Sequence, residues 1–309
     1  MRRFCLIVNP AAGRGRSLQL LPVATAALAA AGAAYQVSES ASLAHAAQLA
    51  SDAAQRGDVV VAVGGDGMAG ALAGPASLCG GTYGIIPAGR GNDLARVLGI
   101  PVGPQGAAQV LAAAKTREID LIGVSAPGQP EIVVAGSVYA GVPSVAGEFA
   151  NGMRRLPGSL VYPVAALRAV VNWKAAGFGV ASDRGSHDFS GYAVVVANSA
   201  YFGAGMQVAP PACIDDGLLD LVLMRHGPKL AFVRALTKIR DGTHTRLPEV
   251  SLDRACEVTL TIDRPLPVAA DGEMLPFAAP LPASTPLRIR VLPRALTVIA
   301  PLAGSPVSC

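Results

Sequence analysis

The first 124 residues alternate short β-rich runs with longer helical runs, and this alternation most constrains the fold. "FCLIV" at 4–8 precedes an alanine- and leucine-rich run that Gly32 is suited to end, and "DVVVAV" at 58–63 precedes a glycine loop and a short helix. Strands that are each followed by a helix form parallel sheets covered on both faces. The sequence therefore predicts an α/β domain over residues 1–124, with a doubly wound, mostly parallel sheet.

The pattern changes after residue 124 to β-like runs separated by turn residues. Only two later stretches, 162–175 and 230–240, look helical. This texture predicts a C-terminal domain over residues 125–294 that is a mainly antiparallel β-sandwich, with residues 295–309 returning to the first domain. Two domains of different class commonly hold a ligand in the cleft between them.

Composition and charge exclude several classes of protein. The chain is 51% apolar and 15% charged, which is unlike a disordered protein. Its net charge is only +4, without a basic block interleaved with aromatic residues, so no nucleic-acid partner is predicted. The longest uncharged runs, 17–34 and 132–147, are interrupted by polar, Gly or Pro residues, so no transmembrane segment is predicted. We therefore expect any contact with lipid to be made from the water side.

The cysteines and the start of the chain favour a cytoplasmic protein. Only five apolar residues precede Asn9, too few for the apolar core of a signal peptide. The cysteines are odd in number, widely spaced and without a CxxC pair, so they fit neither a disulfide framework nor a zinc site. They are Cys5, Cys79, Cys213, Cys256 and Cys309.

The loop "GGDGMAG" raises a question about charge. Gly65, Gly67 and Gly70 match the spacing of a dinucleotide-binding loop, in which backbone N–H groups approach phosphate. At ~4 Å, a carboxylate at Asp66 would repel an anion by about 4 kcal/mol at an effective dielectric of ~20. A Mg²⁺ ion between the two charges removes the conflict, because Mg²⁺ binds carboxylates together with phosphate oxygens. The loop therefore indicates a nucleoside triphosphate site and phosphoryl transfer, with a tight-turn role for Asp66 as the alternative.

Several motifs in a fixed order resemble one family. "IVNPAAGRG" (7–15), "GGDG" (64–67), "GIIPAGRGNDLAR" (84–96), the block 198–223 and "DGE" (271–273) resemble the diacylglycerol kinase catalytic domain shared with sphingosine kinases. The resemblance extends over almost the whole chain and is closest to the bacterial soluble lipid kinases.

This resemblance implies a two-domain kinase that binds ATP in its cleft and transfers the γ-phosphoryl group to a lipid hydroxyl. It implies that Glu273 is the proton acceptor and that a structural Mg²⁺ lies at Asp216, the Leu218 carbonyl and the position of Cys213. It also implies that the nucleotide is lined by Asn9, Pro10, Ala11, Ala12, Gly13, Ser40, Gly64, Gly65, Asp66, Gly67 and Met68.

The chemistry of the candidate residues is consistent with these roles. If residues 271–273 are extended, Asp271 and Glu273 share one face, so Asp66 and Asp271 can anchor Mg²⁺ while Glu273 takes the proton. A β-turn is the alternative, because Asp-Gly is a common turn signal. Arg90, Asn92 and Asp93 are also expected at the nucleotide, with Asn92 in contact through its amide, and Asn92 or Asp93 is suited to cap the following helix.

The sequence departs from the family pattern at three positions. Met68 replaces a hydroxyl residue, and Arg90 replaces a small polar residue where it can pair with phosphate. At the implied metal position, Cys213 is a poor Mg²⁺ ligand unless its carbonyl is used. Asp215, Asp216 and Asp220 are clustered near one turn, which either holds a cation or is simply solvated.

Three functions remain open from the sequence. The leading one is an ATP- and Mg²⁺-dependent kinase that phosphorylates diacylglycerol or a similar lipid alcohol. An NAD kinase-like enzyme, which shares the glycine loop, and a nucleotide- or lipid-binding protein that has lost catalysis are the alternatives. The expected partner is a lipid at the membrane surface, with the protein transiently peripheral to the membrane, and an unpaired strand allows a homodimer.

Overall fold

The computed structural model describes residues 3–10, 15–153, 158–203, 205–278 and 280–301. The first domain consists of β1 Phe4–Val8, α1 Arg16–Ala30, β2 Tyr35–Glu39, α2 Leu43–Gln55, β3 Val59–Gly64, α3 Asp66–Leu78, β4 Thr82–Pro87, α4 Asp93–Val97, α5 Pro104–Ala113 and β5 Thr116–Ser125. The remaining elements are β6 Ile132–Val134, β7 Ser137–Gly141, α6 Val142–Gly152, α7 Gly158–Asn172, β8 Ala176–Ser182, β9 Gly185–Ala197, β10 Tyr201–Phe202, β11 Met206–Gln207, β12 Leu219–Arg225, α8 Lys229–Lys238, β13 Val250–Ala255, β14 Glu257–Ile262, β15 Val268–Ala270, β16 Glu273–Met274 and β17 Leu287–Ile299.

The first domain is the predicted α/β fold. Its strands run in the order β2-β1-β3-β4-β17, all parallel, and β5 adds an antiparallel strand beside β17. Every residue of β1 and β3 is buried, as expected for strands covered on both faces. Gly32 follows the end of α1 in a left-handed conformation, with φ of 70°, as its position predicts.

The last helix of this domain ends earlier than the sequence pattern indicates. The pattern places residues 106–118 in one helix, but α5 stops at Ala113 because Ala114 adopts φ of 51°. Thr116 then pairs with Ile299 of β17, so residues 116–118 belong to β5. Pairing with β17 outweighs helix propensity at residues 116–118, because it gives them the backbone hydrogen bonds of a strand pair.

The C-terminal domain is the predicted antiparallel β-sandwich. One path of strands runs β16-β15-β7-β9-β8-β14-β17, and β9 also pairs with β12, which pairs with β13. The sequence pattern misses α6, because glycine and proline interrupt its helical period. It also joins 131–141 into one strand, whereas the structure breaks the run between β6 and β7.

Strand β17 runs through both domains, and its buried side chains pass from one hydrophobic core to the other along its length. Leu287 and Ile289 pack in the core of the C-terminal domain, whereas Leu296 and Val298 pack in the core of the first. A register shift against β5 lies between Leu292 and Leu296, where β17 advances four residues and β5 only two, and the buried positions change there from odd to even. In the described part of the chain, no helix is long and apolar enough to span a membrane.

Candidate active site

The glycine loop connects β3 to the start of α3 at the carboxyl edge of the parallel sheet. Gly65 is the N-cap residue of α3, and no side chain caps this end of the helix. The first-turn N–H groups of a helix have no partner within the helix, and the helix dipole adds partial positive charge at this end. The start of α3 is therefore suited to bind an anion such as a phosphate group.

Two glycine loops meet at this edge with their backbones in contact. A Cβ atom on Gly65 would lie 3.0 Å from the Cα atom of Gly89, and one on Gly89 would clash with the Cα atom of Gly65. A Cβ atom on Gly64 would lie 2.7 Å from Cβ of Met68, a residue that is 3% exposed and packs in the core. The Met68 side chain therefore points into the core, and the backbone N–H of Met68 is the group left for the predicted nucleotide contact.

Asp66 contacts the second glycine loop through both carboxylate oxygens. Oδ2 accepts the N–H of Asn92 at 3.0 Å and Oδ1 accepts the N–H of Asp93 at 2.5 Å. Asn92 is the N-cap residue of α4 by position, yet its own side chain caps nothing, so Asp66 caps α4 from a neighbouring helix. This contact also answers the question raised by the sequence: the carboxylate is held by two N–H groups at a helix N-terminus.

The residues of the second loop serve contacts that the sequence did not predict. The Asn92 amide is buried and pairs with Gly89 in both directions, accepting its N–H at 2.8 Å and donating to its carbonyl at 3.0 Å. In this structure the amide supports the loop, and its contact with nucleotide stays a prediction. Asp93 Oδ1 accepts the N–H of Gly205 at 2.7 Å and so joins the two domains. Arg90 is exposed, and its phosphate contact stays a prediction.

The segment 271–273 is a tight hairpin turn rather than an extended strand. Asp271 and Gly272 have φ of 48° and 92°, and Ala270 pairs with Glu273 across the turn. Two positive φ values in a two-residue loop are typical of the type I′ turn that Asp-Gly favours. The two carboxylates therefore do not share a strand face, and each has separate surroundings.

Asp271 is half-buried, and its carboxylate lies against three backbone N–H groups of the β6–β7 break. Its Oδ2 atom accepts from Ala135 at 2.8 Å, and its Oδ1 atom accepts from Gly136 and Ser137 at 2.9 Å each. Burial raises the pKa of Asp271, and the negative charge of Asp66 adds to the rise, although the three N–H groups lower it. Its role as a Mg²⁺ anchor stays a prediction, since these amides already occupy the carboxylate.

Glu273 lies against the first turn of α3. A Cβ atom on Gly67 would be 3.7 Å from Oε1 of Glu273, and one on Gly70 would be 3.2 Å from Cβ of Asp271. Gly67 and Gly70 are three residues apart and lie on one helix face, so this glycine face lets the hairpin turn of the C-terminal domain approach. Loss of solvent raises the pKa of the Glu273 carboxyl, although part of the side chain is exposed.

The first predicted nucleotide loop is only partly described. Asn9 and Pro10 are half-buried at the end of β1, while Ala11, Ala12 and Gly13 lie outside the described residues. Ser40 is 2% exposed, and its hydroxyl and N–H both donate to the Val8 carbonyl, at 3.2 and 2.8 Å. The Ser40 side chain thus joins the ends of β1 and β2, and its nucleotide contact stays a prediction.

The predicted structural metal position is dominated by an ion-pair cluster. Arg254 bridges Asp216 at 2.7 Å and Asp220 at 3.1 Å, and the Leu218 N–H donates to Asp216 at 3.0 Å. Cys213 Sγ lies 3.6 Å from Asp215 Oδ1. Among the described residues, no three His, Cys, Asp or Glu side chains are grouped to hold a metal ion. The side chains alone do not make a Mg²⁺ site here, and a structural Mg²⁺ at Asp216, Leu218 and Cys213 stays a prediction that depends on carbonyls and water.

Sequence reasoning missed Asp120, which is 1% exposed at the junction of the domains. Its Oδ1 atom accepts the N–H of Arg294 at the β17 shift, and its Oδ2 atom accepts the N–H of Gly217. Its carbonyl accepts from the buried amide of Asn198 at 2.8 Å. The signal in the sequence was an aspartate inside the apolar run "IDLIGV", because such a residue is rarely buried without partners.

Comparisons with known proteins agree with this architecture. Residues 3–124 match the family profile of the diacylglycerol kinase catalytic domain, and residues 136–300 match that of the YegS C-terminal NAD kinase beta sandwich-like domain. A protein named diacylglycerol kinase from Mycobacterium tuberculosis is 32% identical over 263 residues, covering 83% of this chain and 81% of that protein. Another of that name from Bacillus subtilis is 28% identical over 294 residues, covering 89% and 92%.

A solved structure supports the fold alone. The crystal structure of a diacylglycerol kinase from Bacillus anthracis str. Sterne aligns with this chain with a TM-score of 0.74, at 21% identity and 98% coverage of both chains. The two family profiles together span both domains, and the relatives span most of the chain. The chain therefore belongs to the diacylglycerol kinase catalytic-domain family of lipid kinases.

Proposed function

We propose that this lipid kinase transfers the γ-phosphoryl group of ATP, in the presence of Mg²⁺, to a hydroxyl of diacylglycerol or a similar lipid alcohol. The observation that carries the proposal is the position of Glu273. Its carboxylate comes from the C-terminal domain and lies beside Gly67, at the uncapped start of α3 in the first domain. A proton acceptor next to an anion-binding helix terminus is the arrangement that phosphoryl transfer to an alcohol requires.

In this mechanism the N–H groups at the start of α3 bind phosphate oxygens of the nucleotide. The lipid hydroxyl oxygen forms a bond to the γ-phosphorus as the bond from that phosphorus to its bridging oxygen breaks. Glu273 accepts the proton that the hydroxyl loses, and ADP leaves with the bridging oxygen. Because transfer of this kind involves little covalent work by the protein, positioning and charge account for most of the rate.

Mg²⁺ fits as a companion of the nucleotide rather than as a resident ion. It commonly uses one or two carboxylates, with the remaining ligands from water and substrate phosphates, so no cluster of three side chains is needed. The carboxylates of Asp66 and Asp271 are close enough that the charge of the first affects the pKa of the second. When bound, the ion would neutralise charge on the phosphate oxygens.

An apolar cavity supports a lipid as acceptor. The cavity has a volume of about 250 Å³ and is lined by Val145, Phe149 and Trp173, with Arg264 among its polar lining residues. Val145 and Phe149 lie on the side of α6 opposite Gly147, whose Cβ position is 3.2 Å from the Met274 side chain. One helix diameter of roughly 10 Å therefore separates the cavity from the hairpin turn that carries Glu273, a distance that an acyl chain spans readily.

The test measures transfer of labelled γ-phosphate from ATP to diacylglycerol in mixed micelles, with and without Mg²⁺. We expect Glu273→Gln to lower kcat by about 10²- to 10⁴-fold while ATP binding is unchanged, because only the proton acceptor is lost. The raised pKa of Glu273 adds a pH signature. The base is active only when ionised, so activity rises as the pH rises through a pKa above the ordinary 4.5. This acid limb should be absent in the residual activity of the variant.

Glu118→Gln is the matched control, because Glu118 is an exposed glutamate on β5 in the first domain. It should leave the rate and the pH profile unchanged. An unchanged rate in Glu273→Gln would contradict the assigned base. No transfer to diacylglycerol, to other lipid alcohols or to NAD, with ATP still bound, would contradict the proposed reaction and favour a binding protein.

A further inference from the structure

One histidine of the C-terminal domain is fully enclosed with only half of its imidazole paired. His244 lies in the 3₁₀ turn Thr243–Arg246, between α8 and β13, and is 0% exposed. Its Nε2 atom lies 3.0 Å from the Val208 carbonyl, so this nitrogen carries the proton and donates it. Its Nδ1 atom is also buried and has no hydrogen-bond partner among the described residues. These surroundings fit the neutral imidazole and provide nothing for a second ring proton.

The 3₁₀ turn holds the end of the β10–β11 hairpin in place. Val208 directly follows β11, so its bond to His244 fixes the end of that strand. Gly242, just before the turn, has φ of 74°, and a Cβ atom there would lie 2.7 Å from Cγ of Pro210. Glycine permits both this conformation and this close approach. The position of the hairpin therefore depends on the conformation of the turn.

The loop of the same hairpin reaches the first domain. The Gly205 N–H donates to Asp93 Oδ1 at 2.7 Å, and the Arg96 guanidinium lies 5.6 Å from the centre of the Tyr201 ring. Asp93 and Arg96 belong to α4, the helix that Asp66 of the glycine loop caps. The hairpin thus connects the 3₁₀ turn of one domain to the helix that supports the glycine loop of the other.

The elements packed against His244 leave a second imidazole proton uncompensated. Burial lowers the pKa of His244 below its ordinary 6.5, although the bond to Val208 and the charge of Asp241 oppose this. The Asp241 carboxylate is exposed and already accepts the N–H and the hydroxyl of Thr243. Segment 206–210 carries no charged residue. The other charged groups on and beside α8, the turn and β13 are Lys229, Arg234, Lys238, Arg240, Arg246, Glu249, Asp253 and Arg254.

We propose that His244 is a proton-sensitive latch that releases the β10–β11 hairpin from α4 in acid. A second ring proton would place a cation at Nδ1, buried and without an acceptor, whereas water solvates that cation once the turn opens. The open turn therefore binds the proton more tightly than the closed one. The closed hairpin has its full stability above pH 6.5 and loses it as the pH falls below that value. The latch acts on the junction of the domains, whatever lipid alcohol is phosphorylated.

The test is hydrogen exchange of the full chain from about pH 8 to about pH 5, without nucleotide or lipid and corrected for intrinsic rates. Below pH 6.5, protection of the Gly205, Val208 and Ala209 amides should fall by up to about tenfold per pH unit, because one proton is coupled to opening. The Val61 amide at the centre of β3 should keep its protection. This difference separates local opening of the hairpin from unfolding of the chain.

His244→Gln is the informative variant, because its amide N–H can still donate to the Val208 carbonyl but does not titrate. Protection of the hairpin in this variant should not depend on pH. The acid limb of turnover assigned to Glu273 should remain, so the latch and the proton acceptor are tested apart. His226→Gln is the matched control, since His226 is an exposed histidine of the same domain. Its hairpin should open in acid as in the unchanged chain.

A second measurement does not depend on the folding of a variant. Nuclear magnetic resonance of the imidazole nitrogens in the unchanged chain should show His244 taking its second proton as the hairpin amides lose protection. A protonated His244 beside hairpin amides that stay protected would overturn the latch. So would hairpin exchange that is independent of pH, or that falls together with the protection of Val61. An equal loss in His244→Gln would assign the effect to the Asp93 carboxylate instead.

Discussion

Two carboxylates in one hairpin turn differ in role because their contacts differ. The Asp271 carboxylate accepts three backbone N–H groups, so it fixes the turn against the β6–β7 break. Glu273 lies two residues later, is exposed and faces the glycine loop. A residue that is held by the protein is poorly placed to accept a substrate proton, whereas a partly desolvated carboxylate with a raised pKa is well placed.

The contact between the two glycine loops gives a residue-scale prediction. Gly89→Ala places a Cβ atom against the Cα atom of Gly65, and backbone on both sides cannot yield as a flexible side chain would. We expect ATP affinity to fall by about tenfold or more, because displacement of the loops moves the phosphate-binding N–H groups by a fraction of an ångström or more. Isothermal titration with ATP measures it.

Gly103→Ala is the matched control. Gly103 has φ of −76°, and a Cβ atom there would meet no atom within 4 Å. ATP affinity should be unchanged by this substitution. Equal affinities in the two variants would contradict a close-packed pair of loops as part of the nucleotide site.

At the scale of elements, α4 depends on a side chain from another helix. Five residues are too few to form a stable helix alone, and the N-cap residue Asn92 provides no side-chain cap. Asp66→Ala should therefore increase hydrogen exchange of the α4 amides by about tenfold, as expected for the loss of a capping interaction of ~1 kcal/mol or more. The measurement is made without nucleotide, so it reports capping apart from any role of Asp66 with Mg²⁺.

Two further variants separate these roles. Asp66→Asn keeps one acceptor oxygen and should retain part of the α4 protection while it loses the charge. Asp52→Ala removes an exposed acceptor of the Gln48 amide on α2 and should leave α4 unaffected. Exchange in α4 that is the same in Asp66→Ala as in the unchanged chain would exclude the capping role.

At the scale of the whole molecule, Asp120 fixes the crossing of β17 between the two cores. Its carboxylate holds Arg294 at the register shift and Gly217 in the following domain. Asp120→Ala leaves two N–H groups at the junction without an acceptor, each costing ~1–3 kcal/mol, so the free energy of unfolding should fall by roughly 2–6 kcal/mol. Urea denaturation measures this loss.

The exposed Asp188 of β9 provides the comparison. Asp188→Ala should change the free energy of unfolding by less than about 0.5 kcal/mol. A similarly small effect of Asp120→Ala would show that the junction does not depend on this carboxylate.

The local pattern predicted much of the fold and the place of the site. β1 begins and ends at the predicted residues, because a strand buried along its whole length leaves an unbroken apolar run in the sequence. The hairpin at Asp271 was an open alternative, since Asp-Gly indicates a turn without telling which way its neighbours point. Helix α6 was missed because its stability comes from packing against α7 and β16 rather than from its own residues.

The sequence by itself determined the two domain classes, the glycine loop at a strand end and the residues that match the family motifs. These features depend on the spacing of apolar residues along the chain and on residue types, such as glycine, that certain backbone conformations require. Only the tertiary structure decided that Asn92 and Ser40 support loops, that Asp66 caps α4 and that Glu273 faces Gly67. Each of these contacts joins residues that are distant in the chain or turned by a neighbouring element, and hydrogen-bond partners of that kind leave no local pattern.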